Sequence, residues 1–545
     1  MHIRYSALQL TPEMIHTKFV FVTGGVCSSL GKGIVAASTA AILKGAGQKV
    51  GIMKLDPYLN VDPGTMSPFQ HGEVFVLDDG GETDLDLGHY ERFIDTPLVS
   101  DCSISSGQIY SEVLSEEREG KYLGGTIQIV PHITNKLLSK VELAAKKLKV
   151  DVLVVEIGGT VGDMEAEPFF EVLRQMKYKY GKNCLSLHLT LLPYLAASKE
   201  LKTKPTQLSV KELRSRGISP DIIFCRSDIR IPKKLLKKVA YFCDVDEEAV
   251  IPAETVTSIY EVPLRFQKVN LGNILAQKLD LGDLEFDMSI WEEGFEKRKK
   301  AKKVLKIGLA GKYNELDDAY LSVIEAAKAA GFYHDHKSEI EWIDTEKIEE
   351  GDEEELQKLE EVAGIIVPGG FGTRGIEGKI KVAEYCRVNK KPYLGLCLGS
   401  QIMAMDWARN VLDIKNATSE EFHPNAQNQV VHFVSGQRNL KTKGANMRLG
   451  SYPCKIKEGS LAEKIYGVSR VDERHRHRFE FNNEYRDDFE KSGFSISGQS
   501  PKGDLVEIVE VVDHPFMIGS QFHPELKSRP FEPHPLFRAF VGAII

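Results

Sequence analysis

Short apolar runs alternate with longer, mixed segments along the whole chain. The first run, Phe19-Val20-Phe21-Val22, ends at Thr23-Gly24-Gly25; a Gly-rich turn then leads to Gly31-Lys32-Gly33 and an Ala-rich stretch, Ile34 to Ala46, that predicts a helix. Further strands are predicted at Val50 to Met53, Val152 to Val155, Leu185 to Leu192 and Ile222 to Phe224. From about Asp287 to Lys303 the sequence turns charged, which reads as a solvated linker, a nucleic-acid tail being the poorer alternative. The rhythm restarts at Val304 to Leu309 and returns at Ile365 to Val367 and Tyr393 to Gly395; the acidic run Glu349 to Glu361 predicts one exposed helix face. Strands alternating with helices predict an α/β protein of two domains, each a mainly parallel sheet flanked by helices. The expected boundaries are an N-terminal extension at 1–17, a first domain at 18–286, the linker at 287–303 and a second domain at 304–545.

Composition narrows the class. A chain of 545 residues exceeds one ordinary core, and 42% hydrophobic with 27% charged residues is the balance of a globular protein. Neither a membrane-spanning apolar run nor the apolar core of a secretory signal is visible, and the eight cysteines form no CxxC pair. A cytoplasmic protein with reduced thiols is the expectation. The formal net charge of −8 argues against a nucleic-acid partner.

The first half carries a phosphate-binding pattern. Thr23 to Gly33 lies between a strand and a helix, where backbone N–H groups and a helix N-terminus cradle phosphates and Lys32 reaches the outer ones. The match to a Walker A loop is imperfect: the first Gly is displaced, and Gly33 stands where a Ser or Thr is usual. Asp86 and Glu156 are candidate metal carboxylates, Glu156 at a strand's C-terminal end. Lys202-Thr203-Lys204-Pro205-Thr206-Gln207, with Lys238, suits a second polyphosphate, although an ordinary surface loop has the same composition.

The second half carries a thiol pattern. In Gly395-Leu396-Cys397-Leu398-Gly399 an apolar strand runs into Gly-x-Cys-x-Gly and then a predicted helix, the nucleophile-elbow arrangement with Cys in place of Ser. His523 with Glu525 two residues on provides a base and its orienter, and Pro368-Gly369-Gly370-Phe371-Gly372, with the Leu398 N–H, provides oxyanion donors. Arg474-His475-Arg476-His477-Arg478-Phe479-Glu480 suggests metal or nucleic acid at first sight; one Arg gripping a substrate carboxylate is the more economical reading.

At these residues the chain resembles the CTP synthase family. The second half is similar to class I glutamine amidotransferases in Pro-Gly-Gly-Phe-Gly, Gly-Leu-Cys-Leu-Gly and His-Pro-Glu, in that order. The first half is similar to the family's amidoligase domain at Met53 to Tyr58, Asn60 to Met66, His71 to Val74, Leu87 to Phe93, Glu156 to Asp163 and Lys202 to Gln207. The resemblance implies ATP-dependent amination of UTP to CTP through a 4-phosphorylated UTP, with ammonia from glutamine. Ser28, Ser29, Leu30, Gly31, Lys32 and Gly33 would then hold ATP, Lys32 and Lys54 would stabilise the transferring phosphoryl group, and Asp86 and Glu156 would bind Mg²⁺. Lys202 to Gln207 and Lys238, with Ser28, would hold UTP or CTP, and Asp163, Met164 and Glu165 would contribute to the CTP-sensing pocket. Gly370, Leu398, Gly399, Ser400, Gln401, Glu421 and Arg478 would hold glutamine around the triad Cys397, His523 and Glu525. Pro68, His71 and Val74 would gate ammonia, and Arg374 and Gly375 would belong to the lid where GTP activates. A homotetramer inhibited by CTP, compatible with filaments, is implied. Three rival readings are a cobyrinate-type amidotransferase, a filament protein with vestigial sites, and a glutaminase with a nucleotide sensor. The runs Lys54 to Tyr58 and His89 to Phe93 weigh against the first.

Overall fold

The computed structural model describes residues 16–66, 71–312, 317–433 and 447–545. It divides into two compact units, one of Met1–Val61 and His89–Glu292, the other of Asp62–Gly88 and Glu293–Ile545. The segment 62–88 thus belongs with the C-terminal unit.

In the first unit the five apolar runs become β1 (Lys18–Gly24), β2 (Val50–Asp56), β4 (Val152–Ile157), β5 (Cys184–Leu191) and β6 (Ile222–Ser227), joined by two strands outside those runs, β3 (Ser103–Ser105) and β7 (Val250–Glu254). They pair in the order β7-β6-β5-β1-β4-β2-β3, every pairing parallel. Almost every residue of β1, β2 and β4 is buried, because helices cover both faces of a parallel sheet. The register sets Glu156 of β4 between Val22 of β1 and Lys54 of β2. Helix α1 (Lys32–Gly45) follows β1, and α2 (Lys204–Ser215) follows the Lys202 loop.

The charged stretch read as a linker is helix α3 (Ser289–Lys300). Its apolar and charged positions fall on different faces: in the first turn Trp291 is buried against Phe93 and Tyr260. Further along, Gly294 lies against Phe531 and Arg298 lies 4.6 Å over the Phe332 ring, while Lys297, Lys299 and Lys300 stay exposed. The acidic run forms two helices, Thr345–Glu350 and Glu353–Glu361, broken at Gly351 with φ 87°. Glu355 is buried there, accepting from the Asp344 N–H at 2.8 Å, so the run is more than a solvated face.

The second unit holds β8 (Lys303–Gly311), β9 (His336–Asp344), β10 (Gly364–Val367), β11 (Tyr393–Leu396), β12 (Arg448–Ile456), β13 (Arg470–His477), β14 (Phe494–Gln499), β15 (Val506–Val511) and β16 (Met517–Ser520). Their order is β9-β8-β10-β11-β16-β15-β14-β12-β13. The first five strands are parallel, and the remaining four extend the sheet antiparallel. Helices α4 (Ile376–Val388) and α5 (Leu398–Asn410) pack on its parallel portion, α5 springing directly from the end of β11. No helix among the described residues is long and apolar enough to cross a membrane.

Candidate active sites in the two units

The thiol site is built where β11 meets α5. Cys397 sits between them at φ 51° and ψ −100°, a conformation that side-chain-bearing residues rarely adopt. Its flanking glycines are required by close approach. A Cβ on Gly395 would stand 2.6 Å from the Gly399 carbonyl carbon, and one on Gly399 would stand 2.1 Å from the Val367 carbonyl oxygen. The Cys397 N–H donates to the Ser520 carbonyl at 2.7 Å, which ties the elbow to the end of β16.

Three residues past the end of β16 comes His523. Its Nδ1 bonds Glu525 Oε1 at 2.7 Å, while its buried Nε2 has no hydrogen-bond partner among the described residues. Burial disfavours the imidazolium, but the charges of Glu525 and Cys397 outweigh it and hold the pKa well above the usual histidine value. Gly369 fixes the spacing: a Cβ there would stand 2.8 Å from His523 Cε1 and 3.5 Å from Cys397 Cβ. Cys397, His523, Glu525 and the loop Gly369 to Phe371 line one cavity of about 220 Å³, which Val74 and Arg476 also line. That is room for an amino-acid-sized ligand beside a thiol, a base and backbone donors, the parts needed to cleave an amide through a thioester.

Two further thiol-half candidates, Ser400 and Glu421, support the elbow and the Gly369–Gly372 loop. Ser400 Oγ donates to the Cys397 carbonyl at 2.8 Å, so it braces the elbow. Gln401 is buried, its Nε2 donating to the Phe479 carbonyl at 2.9 Å and to Gln521 Oε1 at 3.1 Å. Glu421 accepts from the Gly372 N–H at 2.9 Å; burial raises its pKa against the pull of that N–H, Lys312 and Arg478. Lys312, absent from the sequence reading, donates to the Phe371 carbonyl and supports the Gly369–Gly372 loop. Arg374 pairs with Glu346 at 3.1 Å, and Gly375 caps α4 at φ 66°. His71 and Val74 lie on the 62–88 segment; Pro68 lies outside the described residues. In the basic stretch, Arg474 binds Asp78 at 2.6 Å and Arg476 binds Glu82 at 2.7 Å, while burial drives His475 and His477 below the usual histidine range. Two of its arginines thus grip protein carboxylates.

The phosphate-type site lies at the C-terminal ends of β1, β4 and β2. The turn after β1 uses positive φ at Val26, Ser29 and Gly31 (81°, 59° and 94°), and α1 begins at Lys32. Lys32 folds back across Gly24, where a Cβ would stand 2.7 Å from its Cδ, and donates to the Gly159 carbonyl at 2.7 Å. Lys54 pairs with Asp56 at 3.2 Å, and the Tyr90 hydroxyl donates to Glu156 Oε2; all four groups are buried. The sequence reading gave Asp56 and Tyr90 no site role, because strand pairing sets the one and helix packing the other among these groups. His188 joins Thr23 and Ser209 through its two ring nitrogens, each at 2.8 Å, and burial with the nearby Lys32 charge lowers its pKa to about 3. It is a neutral strut and needs no metal to explain it.

Among the described residues no group of three or more His, Cys, Asp and Glu forms a metal cluster. Asp56 and Glu156 nonetheless bring buried carboxylates to the strand ends, hard oxygen donors of the kind a divalent ion takes alongside phosphate oxygens. A second cavity of the first unit, about 520 Å³, gathers Lys202, Thr203, Lys204 and Lys238 with Lys234 and Arg230, which sequence reasoning missed. Pro205 is in the first turn of α2, Gln207 donates to Thr203 Oγ1 at 3.2 Å, and Thr206 is buried beneath, donating to the Leu191 carbonyl at 3.0 Å. Asp163 accepts from the Thr160 N–H at 2.6 Å ahead of a short turn in which Met164 is exposed. Asp86 opens the helix Asp86–Ile94.

Comparison with known proteins assigns these parts. Residues 18–281 match the family model "CTP synthase N-terminus", and residues 315–543 match "Glutamine amidotransferase class-I". The chain is 54% identical over 529 residues to CTP synthase of Carboxydothermus hydrogenoformans, covering 97% of this chain and 98% of that one. It is 52% identical over 530 residues to CTP synthase of Bacillus subtilis, covering 97% and 99%. Among solved structures it is similar to the glutaminase domain of Trypanosoma brucei CTPS with bound acivicin, at 37% identity and TM-score 0.42, covering 44% of this chain and 93% of that one. With identity above one half along nearly the full length of both proteins, the chain belongs to the CTP synthase family.

Proposed function

We propose that the second unit frees ammonia from glutamine and that the first consumes it, the overall reaction being the ATP-dependent amination of UTP to CTP. The observation that carries this reading is the packing of Cys397 and His523 against Gly369, with Glu525 on the far ring nitrogen. Cys397 Sγ attacks the glutamine amide carbonyl, and the Gly370 and Leu398 N–H groups hold the oxyanion. His523 passes its Nε2 proton to the leaving ammonia, then takes a proton from water as that water cleaves the glutamyl thioester to glutamate. Glu421 and Arg478 are charged groups suited to the amine and carboxylate of glutamine, and Gln401 assists them.

In the first unit, residues 28–33 hold ATP, while Lys32 and Lys54 neutralise charge as the γ-phosphoryl group moves to O4 of UTP. Ammonia then attacks C4 and phosphate leaves, giving CTP. The carboxylates of Glu156 and Asp56 would hold Mg²⁺, which supplies charge neutralisation at the phosphate oxygens when bound. The cationic cavity around Lys202, Lys204 and Lys238 suits a nucleotide triphosphate, UTP as substrate or CTP as inhibitor, with Asp163, Met164 and Glu165 contributing to the CTP pocket. GTP activation at Arg374 and Gly375, ammonia gating by Pro68, His71 and Val74, a cytoplasmic location and a homotetramer able to form filaments complete the proposal.

The test mixes protein with UTP, Mg-ATP and either glutamine or ammonium chloride and follows uracil-to-cytosine conversion by ultraviolet absorbance. Cys397→Ala is expected to make CTP from ammonium alone. Glutamine hydrolysis by the native chain with no CTP from either nitrogen source would leave a glutaminase with a nucleotide sensor.

A further inference from the structure

Gln521 stands between the end of β16 and the catalytic His523, and no role has been given to it. The register that pairs Leu396 with Ser520 sets the next residues of both strands, Cys397 and Gln521, side by side. The Gln521 side chain is buried, with Nε2 3.6 Å from Cys397 Sγ and Oε1 3.1 Å from Gln401 Nε2. Hydrogen-bond chemistry fixes which way this amide points. The Gln401 group 2.9 Å from the Phe479 carbonyl must be its NH₂, because a carbonyl oxygen only accepts. The Gln521 atom facing that NH₂ must then be oxygen, which leaves the Gln521 NH₂ facing the sulfur. A further contact of the sulfur, 3.8 Å from the Arg476 carbonyl, suits a thiol S–H and cannot serve a thiolate.

We propose that Gln521 is a catalytic residue of the glutaminase half-reaction, its carboxamide N–H donating to the Cys397 sulfur whenever that sulfur is anionic. Resting on the assignment of Cys397 as nucleophile, the proposal deepens it at two points. Before attack, Gln521 holds the thiolate together with the imidazolium. During deacylation, His523 takes the proton of water, the hydroxide oxygen bonds the acyl carbon, and the C–S bond breaks with its electron pair passing to sulfur. The imidazolium so formed and the carboxamide then both donate to the departing thiolate. A second consequence concerns Gln401. Both of its N–H groups are committed, to Phe479 and Gln521, so it presents only its carbonyl oxygen to glutamine and acts there as an acceptor.

The experiment uses the full-length chain with Gln521→Met, which keeps length and burial but removes both the donor and the acceptor. Glutamine hydrolysis and the pH dependence of Cys397 alkylation by iodoacetamide, read on the Cys397 peptide by mass, are measured together, and thermal unfolding reports that the variant folds. A charge-assisted hydrogen bond predicts a fall of roughly 10- to 100-fold in kcat with KM little changed, and an alkylation midpoint about one pH unit higher. Should Gln521→Met fail to fold, isosteric Gln521→Glu takes its place, with the same shift expected once its carboxyl ionises. A folded variant with native kcat and native alkylation midpoint overturns the role of Gln521. Retained glutaminase activity in Cys397→Ala overturns the nucleophile assignment beneath it, so the two failures are distinguishable.

Discussion

Arg474 Nε donates to Asp78 Oδ1 at 2.6 Å, joining residues 396 positions apart in the chain. The Arg474 side chain is fully buried, its Nη1 also reaches the Val76 carbonyl at 3.2 Å, and its guanidinium lies 5.5 Å over the Phe75 ring. Two residues along β13, Arg476 bonds Glu82 at 2.7 Å and the Gly64 carbonyl at 3.1 Å. Alternate residues of a strand share a face, so the two arginines form a two-pronged hold on residues 62–88 while His475 and His477 turn inward.

Asp78→Asn leaves the buried guanidinium without its counter-ion. Asp78 is 35% exposed, so screening moderates the cost to about 1–3 kcal/mol. Burial raises the Asp78 pKa, but Arg474 overrides it and the net value lies below the usual carboxylate value. The hold is therefore present above that usual value and is lost as pH falls through the depressed one. Hydrogen exchange should show faster opening of residues 71–88 in the variant; unchanged protection there would contradict the hold.

Glu525→Gln removes a charge that raises His523. The imidazolium then contributes less stability, and the deficit should be full in acid, below the usual histidine pKa. It should shrink as pH rises through the elevated native value, where the native chain loses the same contribution. Unfolding midpoints of the two proteins are expected to converge with rising pH, and glutamine hydrolysis should fall at least 10²-fold at neutral pH. Midpoints that diverge with pH would contradict the assignment.

Lys379 is fully buried in α4, and its Nζ has no hydrogen-bond partner among the described residues. Burial lowers its pKa to about 7, Lys312 adding to the effect and Cys397 opposing it. The unfolded chain therefore binds more protons than the folded one between about pH 7 and the ordinary lysine value, and native stability rises with pH across that window. Lys379→Met should stabilise most near and below pH 7, by on the order of 5 kcal/mol at most, and the gain should vanish toward pH 10.5. A gain independent of pH would point to packing alone.

Gly369→Ala forces a methyl group to within 2.8 Å of His523 Cε1 and 3.5 Å of Cys397 Cβ, so the imidazole must shift. A displacement near 1 Å in a reacting pair costs on the order of 10²-fold. Glutaminase kcat should fall by about that factor while the alkylation of Cys397 still proceeds. Native kcat would show that His523 has room to move.

Local features were legible in the sequence. The elbow at Cys397 and the turn before Lys32 advertise themselves, since glycine spacing and a strand–helix junction are written within about ten residues. Most of the central parallel strands showed as apolar runs, whereas Ser103–Ser105, Val250–Glu254 and the mixed strand His336–Asp344 did not. Register was not legible: Lys54 lies beside Glu156, and Gln521 beside Cys397, only because particular strands pair, and the packing of the helix Asp86–Ile94 brings the Tyr90 hydroxyl to Glu156. The antiparallel strands β12 to β15 were equally hidden, their polar and apolar residues interleaved among charged ones. That Arg474 and Arg476 grip protein carboxylates was hidden as well, because sequence offers no view of partners nearly 400 positions away.

The allegiance of residues 62–88 bears on how the chain can be divided. They precede the match to the glutamine amidotransferase model by more than two hundred positions, yet they supply the carboxylates that two arginines of that half require. A C-terminal fragment cut anywhere after Gly88 would lose the carboxylate partners that Asp78 and Glu82 give to Arg474 and Arg476. The halves are therefore interleaved rather than concatenated, and a recombination event that swaps one for a foreign homologue must exchange two stretches of coding sequence instead of one.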